Sequence, residues 1–431
     1  MAKSRLVSAI DIGSTKISTL VAQVTPEGSI HVIGASTAPS KGVRKGQIVN
    51  IEEASASIME SVEVAERMAG YSVGKVMVSV GGSQVQSQNS TGVVAVSQGN
   101  GEIGEEDVAR VMEAARAVST PSTQEIIHVL PRSFTVDGQE GVKDPVGMTG
   151  IRLEVETHIV CGSSTSIKNI SKCIAEVGSE ISALVFSGLA SSLACLSETE
   201  KELGVVLVDI GGGTTSIAVY TEGALCHSSV LPIGARHITN DLAIGLRLSL
   251  ESAEKIKISL SETKRNVRPQ EDQSKEKEKE DELDLAPLHL TEEVKSISKK
   301  TVIDGIMKPR LNEIANMVGI ELKRAGVAGL IPAGVVVTGG GAMTVGISES
   351  FRRSLGLPVR VGDPTGITGL IDDISDPPFA TAVGLLIYGS RYGESEDRGL
   401  TLPSKLESTF QKLPGKNVAA KIGELVKSLL P

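Results

Sequence analysis

The chain has 431 residues, of which 40% are hydrophobic, and it carries a formal net charge of -9. This length exceeds what one hydrophobic core supports, so we expect two or more lobes. The negative charge leaves no broad basic surface, which excludes a general nucleic-acid binder.

The four cysteines are Cys161, Cys173, Cys195 and Cys226, and their spacing is not that of metal ligands. This favours reduced thiols in a cytosolic protein. Asp11 interrupts the first apolar stretch, so no signal peptide is predicted. The longest apolar runs fall short of the roughly 20 residues that a membrane-spanning helix needs.

A strand, an aspartate and a glycine-containing turn come first in the chain, in AIDIGSTKISTLVA (9–22). Strand-like and helical patterns then alternate, which predicts an α/β arrangement. The turn suits phosphate chemistry because glycine lets backbone N–H groups approach oxygens, hydroxyls donate further hydrogen bonds, and Asp11 suits Mg²⁺. Taken alone, an ordinary β-hairpin is an equally good interpretation.

A helical pattern from Glu105 to Ala117, with strands on both sides, predicts a small inserted unit. Beyond it, VDIGGGTTSIAVY (208–220) repeats the order of strand, aspartate, Gly-rich turn and strand. Two such hairpins from two similar lobes predict a clamp that holds a polyphosphate from opposite sides.

Residues 261–290 are rich in Lys and Glu and nearly free of apolar side chains. We interpret them as a mobile surface insertion, with a solvated charged helix as the alternative for their middle part. Just before them, Glu254 and Lys257 share one helix face, where they suit a ribose or form a surface salt bridge. Further on, VVVTGGGAM (335–343) predicts a strand that runs into glycines. A flat ring can lie against these glycines, or they form a plain strand-to-helix turn.

The last residues, KNVAAKIGELVKSLLP (416–431), form an amphipathic helical pattern. Its apolar face has Val418, Ile422, Leu425, Val426, Leu429 and Leu430, and its polar face has Lys416, Lys421 and Lys427. A basic amphipathic helix after a Pro-containing linker predicts binding to an anionic lipid surface. A helix that docks on its own lobe or on a partner is the alternative.

In this order and spacing, the two hairpins and VVVTGGGA resemble the two phosphate segments and the adenosine segment of the actin-like ATPase superfamily. Further stretches, including VDGQEGVKDPVGM and DPPFATAVGLLIYG, make residues 5 to 392 similar to the FtsA family of bacterial cell division proteins. This resemblance implies an α/β fold of the actin-like type (ribonuclease H-like, duplicated). Such a fold has two lobes of two subdomains each, a small α+β inserted subdomain, and ATP in the interdomain cleft.

The resemblance also implies a division of the chain into named parts. These are subdomain IA (1–84, 164–200 and 361–392), the inserted subdomain IC (85–163), IIA (201–232 and 309–360), IIB (233–308, with the charged insertion 261–290), a linker (393–414) and a membrane-targeting helix (415–431). The candidate residues for binding ATP are Asp11, Gly13, Ser14, Thr15, Lys16, Asp209, Gly211, Gly212, Gly213, Thr214, Thr215, Glu254, Lys257, Gly339, Gly340, Gly341, Ala342 and Met343. Asp11 and Asp209 are the candidates for Mg²⁺.

The chain departs from the family pattern at positions that bear on hydrolysis. Related sequences carry Asp where this chain has Ser216, and an acidic residue followed by Pro where it has Ser187 and Gly188. They also read Gly-Asp where this chain has Ala235 and Arg236, which brings an extra guanidinium near the cleft. Loss of one water-orienting or proton-accepting group costs about a hundred- to ten-thousandfold in rate. We therefore assign no catalytic residue and expect ATP to be a structural ligand that is hydrolysed slowly or not at all.

FtsA-like proteins polymerise head to tail, bind the C-terminal tail of FtsZ and work with other divisome proteins at the cytoplasmic face of the cell membrane, and the resemblance implies the same here. One alternative is a pilus-assembly adaptor of the PilM type, which is not expected to carry VDGQEGVKDPVGM. Another is a small-molecule kinase or phosphatase of the superfamily, which requires an acidic base near the cleft. Ser187 and Ser216 do not supply one.

Overall fold

Three large β-sheets form the framework of the computed structural model, which describes residues 4–97, 99, 101–265, 281–292, 294–370 and 374–392. The chain divides after Ser390 into a unit of residues 1–390, which contains all three sheets, and a unit of residues 391–431. The predicted linker 393–414 and the predicted amphipathic helix 415–431 lie outside the described residues.

The first sheet contains six strands. They are β1 (Arg5–Ile12), β2 (Lys16–Val24), β3 (Ile30–Pro39), β6 (Lys75–Val80), β11 (Glu180–Phe186) and β19 (Thr368–Gly369). Their spatial order is β11, β6, β1, β2, β3, β19, with β1 antiparallel to β2 and parallel to β6. Helices cover this sheet, so β2 and β6 are buried along nearly their whole length. We call this sheet with its helices lobe I.

The second sheet contains five strands. They are β12 (Val205–Ile210), β13 (Thr215–Thr221), β14 (Ala224–Leu231), β17 (Val335–Thr338) and β18 (Val359–Val361). Their order is β14, β13, β12, β17, β18, with β12 antiparallel to β13 and parallel to β17. We call this sheet with its helices lobe II. Both lobes therefore begin with a hairpin whose first strand is also paired in parallel.

The two hairpins share the same register. Asp11 lies opposite Ser18 in the first, and Asp209 lies opposite Ser216 in the second. The repeated sequence pattern thus corresponds to a repeated structure, which places one aspartate at the same position of each lobe.

A third sheet of four strands is inserted into lobe I. It consists of β7 (Gln86–Ala95), β8 (Gln124–Val136), β9 (Gln139–Val142) and β10 (Arg152–Ser163), in the order β7, β10, β8, β9. Helix α2 (Glu105–Arg116) buries Val111 and Ala115 in a separate small core with residues of this sheet. An α+β inserted unit was predicted from the helical pattern at 105–117.

Eleven α-helices lie within the described residues. Besides α2 they are α1 (Ile51–Ala69), α3 (Ser164–Glu176), α4 (Ser187–Cys195), α5 (Glu198–Leu203), α6 (Arg236–Leu246), α7 (Leu250–Arg265), α8 (Lys299–Val302), α9 (Lys308–Arg324), α10 (Ile347–Leu355) and α11 (Ala380–Tyr392). Short 3₁₀ turns span Ala286–Leu288, Gly340–Met343 and Pro377–Phe379, and a π-helical turn spans Ile303–Met307. Two short hairpins pair β4 (Val43–Arg44) with β5 (Gln47–Ile48) and β15 (Glu282–Asp284) with β16 (Ser296–Ser298). None of the described helices has both the length and the hydropathy that crossing a bilayer requires.

The charged segment 261–290 differs from its prediction at both ends. Helix α7 continues to Arg265, and the chain pairs as β15 from Glu282 onward. Leu283 and Leu285 are buried in the core of lobe II. The predicted boundaries were therefore wrong, because two leucines among the charges are enough to anchor the returning chain. Residues 266–280 lie outside the described residues.

Two buried histidines join the inserted sheet to the lobes. The Nε2 atom of His128 on β8 accepts a hydrogen bond from the Phe186 N–H of lobe I at 3.0 Å. The two ring nitrogens of His158 on β10 hydrogen-bond with Asn89 Oδ1 at 2.7 Å and Ser228 Oγ of lobe II at 2.9 Å. Burial lowers the pKa of His128 to about 4 and that of His158 to about 3. Both rings are therefore neutral at pH 7.

We expect acid to weaken this junction. Between pH 6.5 and about 4 the unfolded chain protonates His128 and the folded chain does not, so the free energy of unfolding decreases as the pH falls through that window. The full effect of this one group is about 3 kcal/mol. Urea unfolding between pH 7 and pH 4 measures it. The His128→Gln variant, which keeps an acceptor for the Phe186 N–H, should lose that part of the pH dependence. A His128 ring that titrates near pH 6.5 by NMR would contradict the assignment.

Candidate functional site

A cleft of about 740 Å³ lies where the hairpins of the two lobes meet. The predicted residues that line it are Asp11, Gly13, Ser14, Thr15, Lys16, Asp209, Gly211, Gly212, Thr214, Glu254, Lys257, Gly339, Gly340, Gly341 and Met343. The structure thus brings both turns, the Glu254 and Lys257 pair and the glycine segment of 339–343 to one place.

The same type of backbone hydrogen bond closes each of the two turns. The N–H of Gly13 donates to the carbonyl oxygen of Lys16 at 3.1 Å, and the N–H of Gly211 donates to that of Thr214 at 2.9 Å. They also face each other, because a Cβ atom added to Gly212 would lie 1.9 Å from Thr15 Oγ1. A side chain at this position would displace the Thr15 side chain or separate the two turns, which favours glycine here.

Asp11 is oriented by a hydroxyl from the neighbouring strand. Ser79 Oγ on β6 donates to Asp11 Oδ1 at 2.7 Å and accepts a hydrogen bond from the Ile12 N–H at 3.0 Å. Burial raises the pKa of Asp11 to about 6, and the charge of Asp209 adds to this rise, whereas Ser79 and Lys16 oppose it. A cation that enters the cleft would therefore stabilise the ionised form of Asp11.

Asp209 on lobe II is held by hydroxyls from lobe I. Thr381 Oγ1 on α11 donates to Asp209 Oδ2 at 2.9 Å, and Ser191 Oγ on α4 donates to the same oxygen. The two hydroxyl oxygens lie 2.9 Å from each other. Burial raises the pKa of Asp209 in spite of these bonds. The carboxylate thus contributes to the contact between the lobes as well as to the cleft.

Lys16 is the cation of this cluster. Burial lowers the pKa of its ammonium group to about 8, while the nearby charges of Asp11 and Asp209 act in the opposite direction. One ammonium group beside two carboxylates leaves the buried cluster one negative charge in excess when all three are ionised.

Glu254 and Lys257 are bonded to each other in the cleft wall. Lys257 Nζ donates to Glu254 Oε2 at 2.7 Å and to Thr239 Oγ1 on α6 at 3.0 Å. The Thr239 hydroxyl in turn donates to the same Glu254 oxygen. The predicted salt bridge between the two residues is present, with Lys257 buried and the Glu254 side chain partly exposed, and both residues line the cleft.

Three predicted residues do not line the cleft. Thr215 is fully buried and its Oγ1 donates to the carbonyl oxygen of Ile233 at 2.8 Å. Ala342 is buried in the core of lobe II. Gly213 packs against the facing turn, where a Cβ atom would be 2.9 Å from Ser14 Oγ.

Ser187 and Ser216 hydrogen-bond with each other. Their Oγ atoms are 2.9 Å apart, both side chains are buried, and both residues line the cleft. They belong to different lobes, since Ser187 begins α4 and Ser216 lies on β13. Arg236 lies at the cleft as the first residue of α6, where its side chain is exposed and its N–H donates to the carbonyl oxygen of Gly212 at 2.9 Å.

Sequence reasoning missed several polar residues of the site. Ser79, Ser191 and Thr381 come from elements distant in the sequence, and Ser79 and Thr381 are hydroxyls in otherwise apolar runs. A buried polar side chain needs a partner, so this pattern was a usable signal. Ser40 was also missed. Its Oγ is buried beside the cleft and has no hydrogen-bond partner among the described residues.

Comparison with known proteins establishes the family. Two family models match, "SHS2 domain inserted in FTSA" over residues 82–161 and "Cell division protein FtsA" over residues 206–384. Cell division protein FtsA of Pseudomonas aeruginosa is 38% identical over 385 residues, which are 89% of this chain and 89% of that protein. The chain belongs to the FtsA family of cell division proteins. FtsA of Escherichia coli is 34% identical over 432 residues, covering 99% of this chain and 96% of that protein.

Solved structures confirm the fold that was predicted. A chain of the PilM-PilN type IV pilus biogenesis complex superposes with a TM-score of 0.61 at 15% identity, covering 89% of this chain and 98% of that one. MreB5 of Spiroplasma citri bound to AMPPNP superposes with a TM-score of 0.53 at 15% identity, covering 93% and 100%. At this identity the likeness concerns the fold alone. The FtsA-family chain has the actin-like α/β fold with an inserted α+β subdomain.

The close approach of the two turns makes a prediction about stability. In the Gly212→Ala variant the new methyl group overlaps Thr15, so the turns must separate, and we expect a loss of about 1–3 kcal/mol in the free energy of unfolding. Urea unfolding measures this loss. The matched control is Gly340→Ala, whose added methyl group meets nothing within 4 Å and should leave stability nearly unchanged. Equal stabilities for the two variants would show that the turns are not in contact.

Proposed function

We propose that this FtsA-family protein binds ATP with Mg²⁺ in the cleft and self-associates head to tail. In the same proposal it links FtsZ filaments, through their C-terminal tail, to the cytoplasmic face of the cell membrane at the division site, together with other divisome proteins. ATP is a structural ligand that is hydrolysed slowly or not at all.

The observation that carries the nucleotide proposal is the pair of facing turns with three charged residues beside them, of which Asp209 is buried and Asp11 and Lys16 are partly buried. Backbone N–H groups of glycine-rich turns suit phosphate oxygens, and the Lys16 ammonium group adds a positive charge. The orphaned hydroxyl of Ser40 offers a further donor at the same wall. The AMPPNP held by MreB5, a protein of the same fold, is consistent with a nucleotide in this cleft.

The remaining parts of a nucleotide have suitable partners as well. Glu254 and Lys257 lie together in the wall, where the Glu254 carboxylate suits a ribose hydroxyl. Gly339, with a φ of 80°, begins the 3₁₀ turn Gly340–Met343. A Cβ atom at Gly339 would lie 2.2 Å from Asp209 Oδ1, so glycine keeps this wall flat enough for a base.

The residues also fit a magnesium ion. Among the described residues, no group of three or more His, Cys, Asp or Glu side chains is arranged to hold a metal. Mg²⁺ is usually bound by one or two carboxylates together with substrate phosphates and water. Asp11 and Asp209 provide two carboxylates whose negative charge burial disfavours, and a cation that arrives with the phosphates would relieve this.

The pair of Ser187 and Ser216 supports the absence of rapid hydrolysis. Their hydroxyls hydrogen-bond across the cleft at 2.9 Å, where related sequences carry acidic groups. A serine hydroxyl is a poor proton acceptor at pH 7, and each of these two is already engaged with the other. Neither position therefore supplies a base that activates water.

We expect calorimetry to detect binding of ATP in the presence of Mg²⁺ and a phosphate-release assay to remain near the no-protein baseline. The double variant Ser187→Glu/Ser216→Asp should increase phosphate release by at least about tenfold, because it restores a proton acceptor and a water-orienting group. The neutral variant Ser187→Gln/Ser216→Asn is the matched control and should remain inactive.

Absence of any heat of binding in the unmodified protein would overturn the nucleotide proposal. Phosphate release by the unmodified protein at several turnovers per minute would overturn the structural-ligand proposal alone.

The membrane and FtsZ parts of the proposal rest on family membership and on the C-terminal tail. The alignment with E. coli FtsA covers 99% of this chain, so it extends into residues 415–431. The apolar face of this tail lacks Trp, Phe and Tyr. Binding of a single copy to lipid should therefore be weak, and a polymer that presents many tails should bind more firmly.

We expect the full chain to sediment with vesicles that contain anionic lipid and a chain shortened by residues 416–431 to remain in solution. The Lys421→Ala/Lys427→Ala variant should bind about tenfold more weakly or worse, because each lysine contributes about 1 kcal/mol at an anionic surface. Neutral vesicles are the control. Unchanged sedimentation of the shortened chain would instead indicate that the tail docks on protein.

A further inference from the structure

Besides the two glycine turns, the segment Pro377–Thr381 also forms part of the cleft wall. Pro377, Pro378 and Thr381 line the cleft, and Phe379 lies between them in the 3₁₀ turn that leads into α11. Proline fixes its φ angle and donates no backbone hydrogen bond, so two successive prolines make this turn stiff. The N–H of Phe379 closes the turn by donating to the carbonyl oxygen of Asp376 at 3.0 Å.

Phe379 contacts the cation of the site. The Nζ atom of Lys16 lies 3.5 Å from the centroid of the Phe379 ring, which is well within the range of a cation–π contact. Such contacts are strongest where the cation is shielded from water, and the ammonium group of Lys16 is largely buried. The ring thus offers this ammonium group a neutral support opposite the charges of Asp11 and Asp209.

Thr381 contacts an anion of the site. Its hydroxyl donates to Asp209 Oδ2 at 2.9 Å and lies beside the hydroxyl of Ser191. Both hydroxyls donate to the same oxygen, so they hold Oδ2 of Asp209 in place. Phe379 at the end of the 3₁₀ turn and Thr381 in the first turn of α11 therefore contact one charged group from each lobe.

We propose that Pro377–Thr381 is a positioning element of the phosphate site, in which Phe379 holds Lys16 toward the phosphates and Thr381, with Ser191, holds Asp209 toward the magnesium ion. This rests on the proposed binding of ATP with Mg²⁺. Neither residue is catalytic, since each acts through another side chain.

The contribution of Phe379 is tested by withdrawing π-electron density from the face of its ring. Replacing it with a trifluorinated phenylalanine keeps the shape of the side chain but removes most of the attraction for a cation. We expect ATP to bind about three- to thirtyfold more weakly, with or without Mg²⁺. Phe379→Leu should have a similar effect, and Phe379→Tyr should retain most of the affinity. Thermal unfolding of the fluorinated protein in the absence of ATP should be nearly unchanged, whereas the stabilisation that ATP adds should be smaller.

The contribution of Thr381 has a different signature. In Thr381→Val the carboxylate of Asp209 keeps only one hydroxyl partner, so more Mg²⁺ should be needed to reach half of the maximal ATP affinity. We expect this magnesium midpoint to increase about threefold or more while affinity for ATP without Mg²⁺ stays the same. Thr381→Ser should restore the midpoint. Ser192→Ala is the matched control. The hydroxyl of Ser192 donates to the carbonyl oxygen of Leu189 at 2.7 Å and contacts the Tyr220 hydroxyl, and neither of these contacts involves Asp209.

The outcomes separate this inference from the proposed function. If the unmodified protein binds no ATP, the proposed function fails and the inference fails with it. If it binds ATP, and the fluorinated and Thr381→Val proteins match it in affinity and in magnesium midpoint, the inference alone is overturned. A decrease in thermal stability of either variant with unchanged binding would also overturn it, since that is the effect of a purely structural role.

Discussion

A buried aspartate, Asp209, lies with the partly buried Asp11 and Lys16 where two glycine turns meet, and the contacts of the cleft depend on how these charges are compensated. Burial raises the pKa of Asp11 and Asp209 and lowers that of Lys16, because charge is disfavoured away from water. Hydroxyls of Ser79, Ser191 and Thr381 offset part of this cost. What remains is an excess of negative charge that a cation would neutralise.

The same cluster ties the two lobes to each other. Asp209 belongs to a strand of lobe II, but both hydroxyls that bind its Oδ2 atom come from helices of lobe I. The contact between Ser187 and Ser216 also joins the lobes. A ligand that reorients Asp209 must therefore act on the contact between the lobes. This gives a physical reason why occupancy of the cleft would influence assembly of a member of the FtsA family.

Holding a phosphate and activating water are separable tasks. In the proposed function, the turns, the carboxylates and the lysine serve binding, and none of them depends on the residues at 187 and 216. Those two positions carry hydroxyls that hydrogen-bond with each other. Such a pair keeps the lobes in contact at little electrostatic cost, because neither hydroxyl has to be buried as a charge.

The sequence by itself determined the fold, the family and most of the cleft wall, because the repeated order of strand, aspartate and glycine turn is a local pattern that backbone geometry dictates. It did not reveal that Thr215 and Ala342 point into the core, since side-chain direction depends on the turn that each residue enters. Only the tertiary structure decided which distant hydroxyls meet the carboxylates, that Phe379 lies on Lys16, and that Ser187 pairs with Ser216. Those contacts join segments up to 363 residues apart, from Lys16 to Phe379, and packing of whole lobes, not local pattern, brings them within bonding distance.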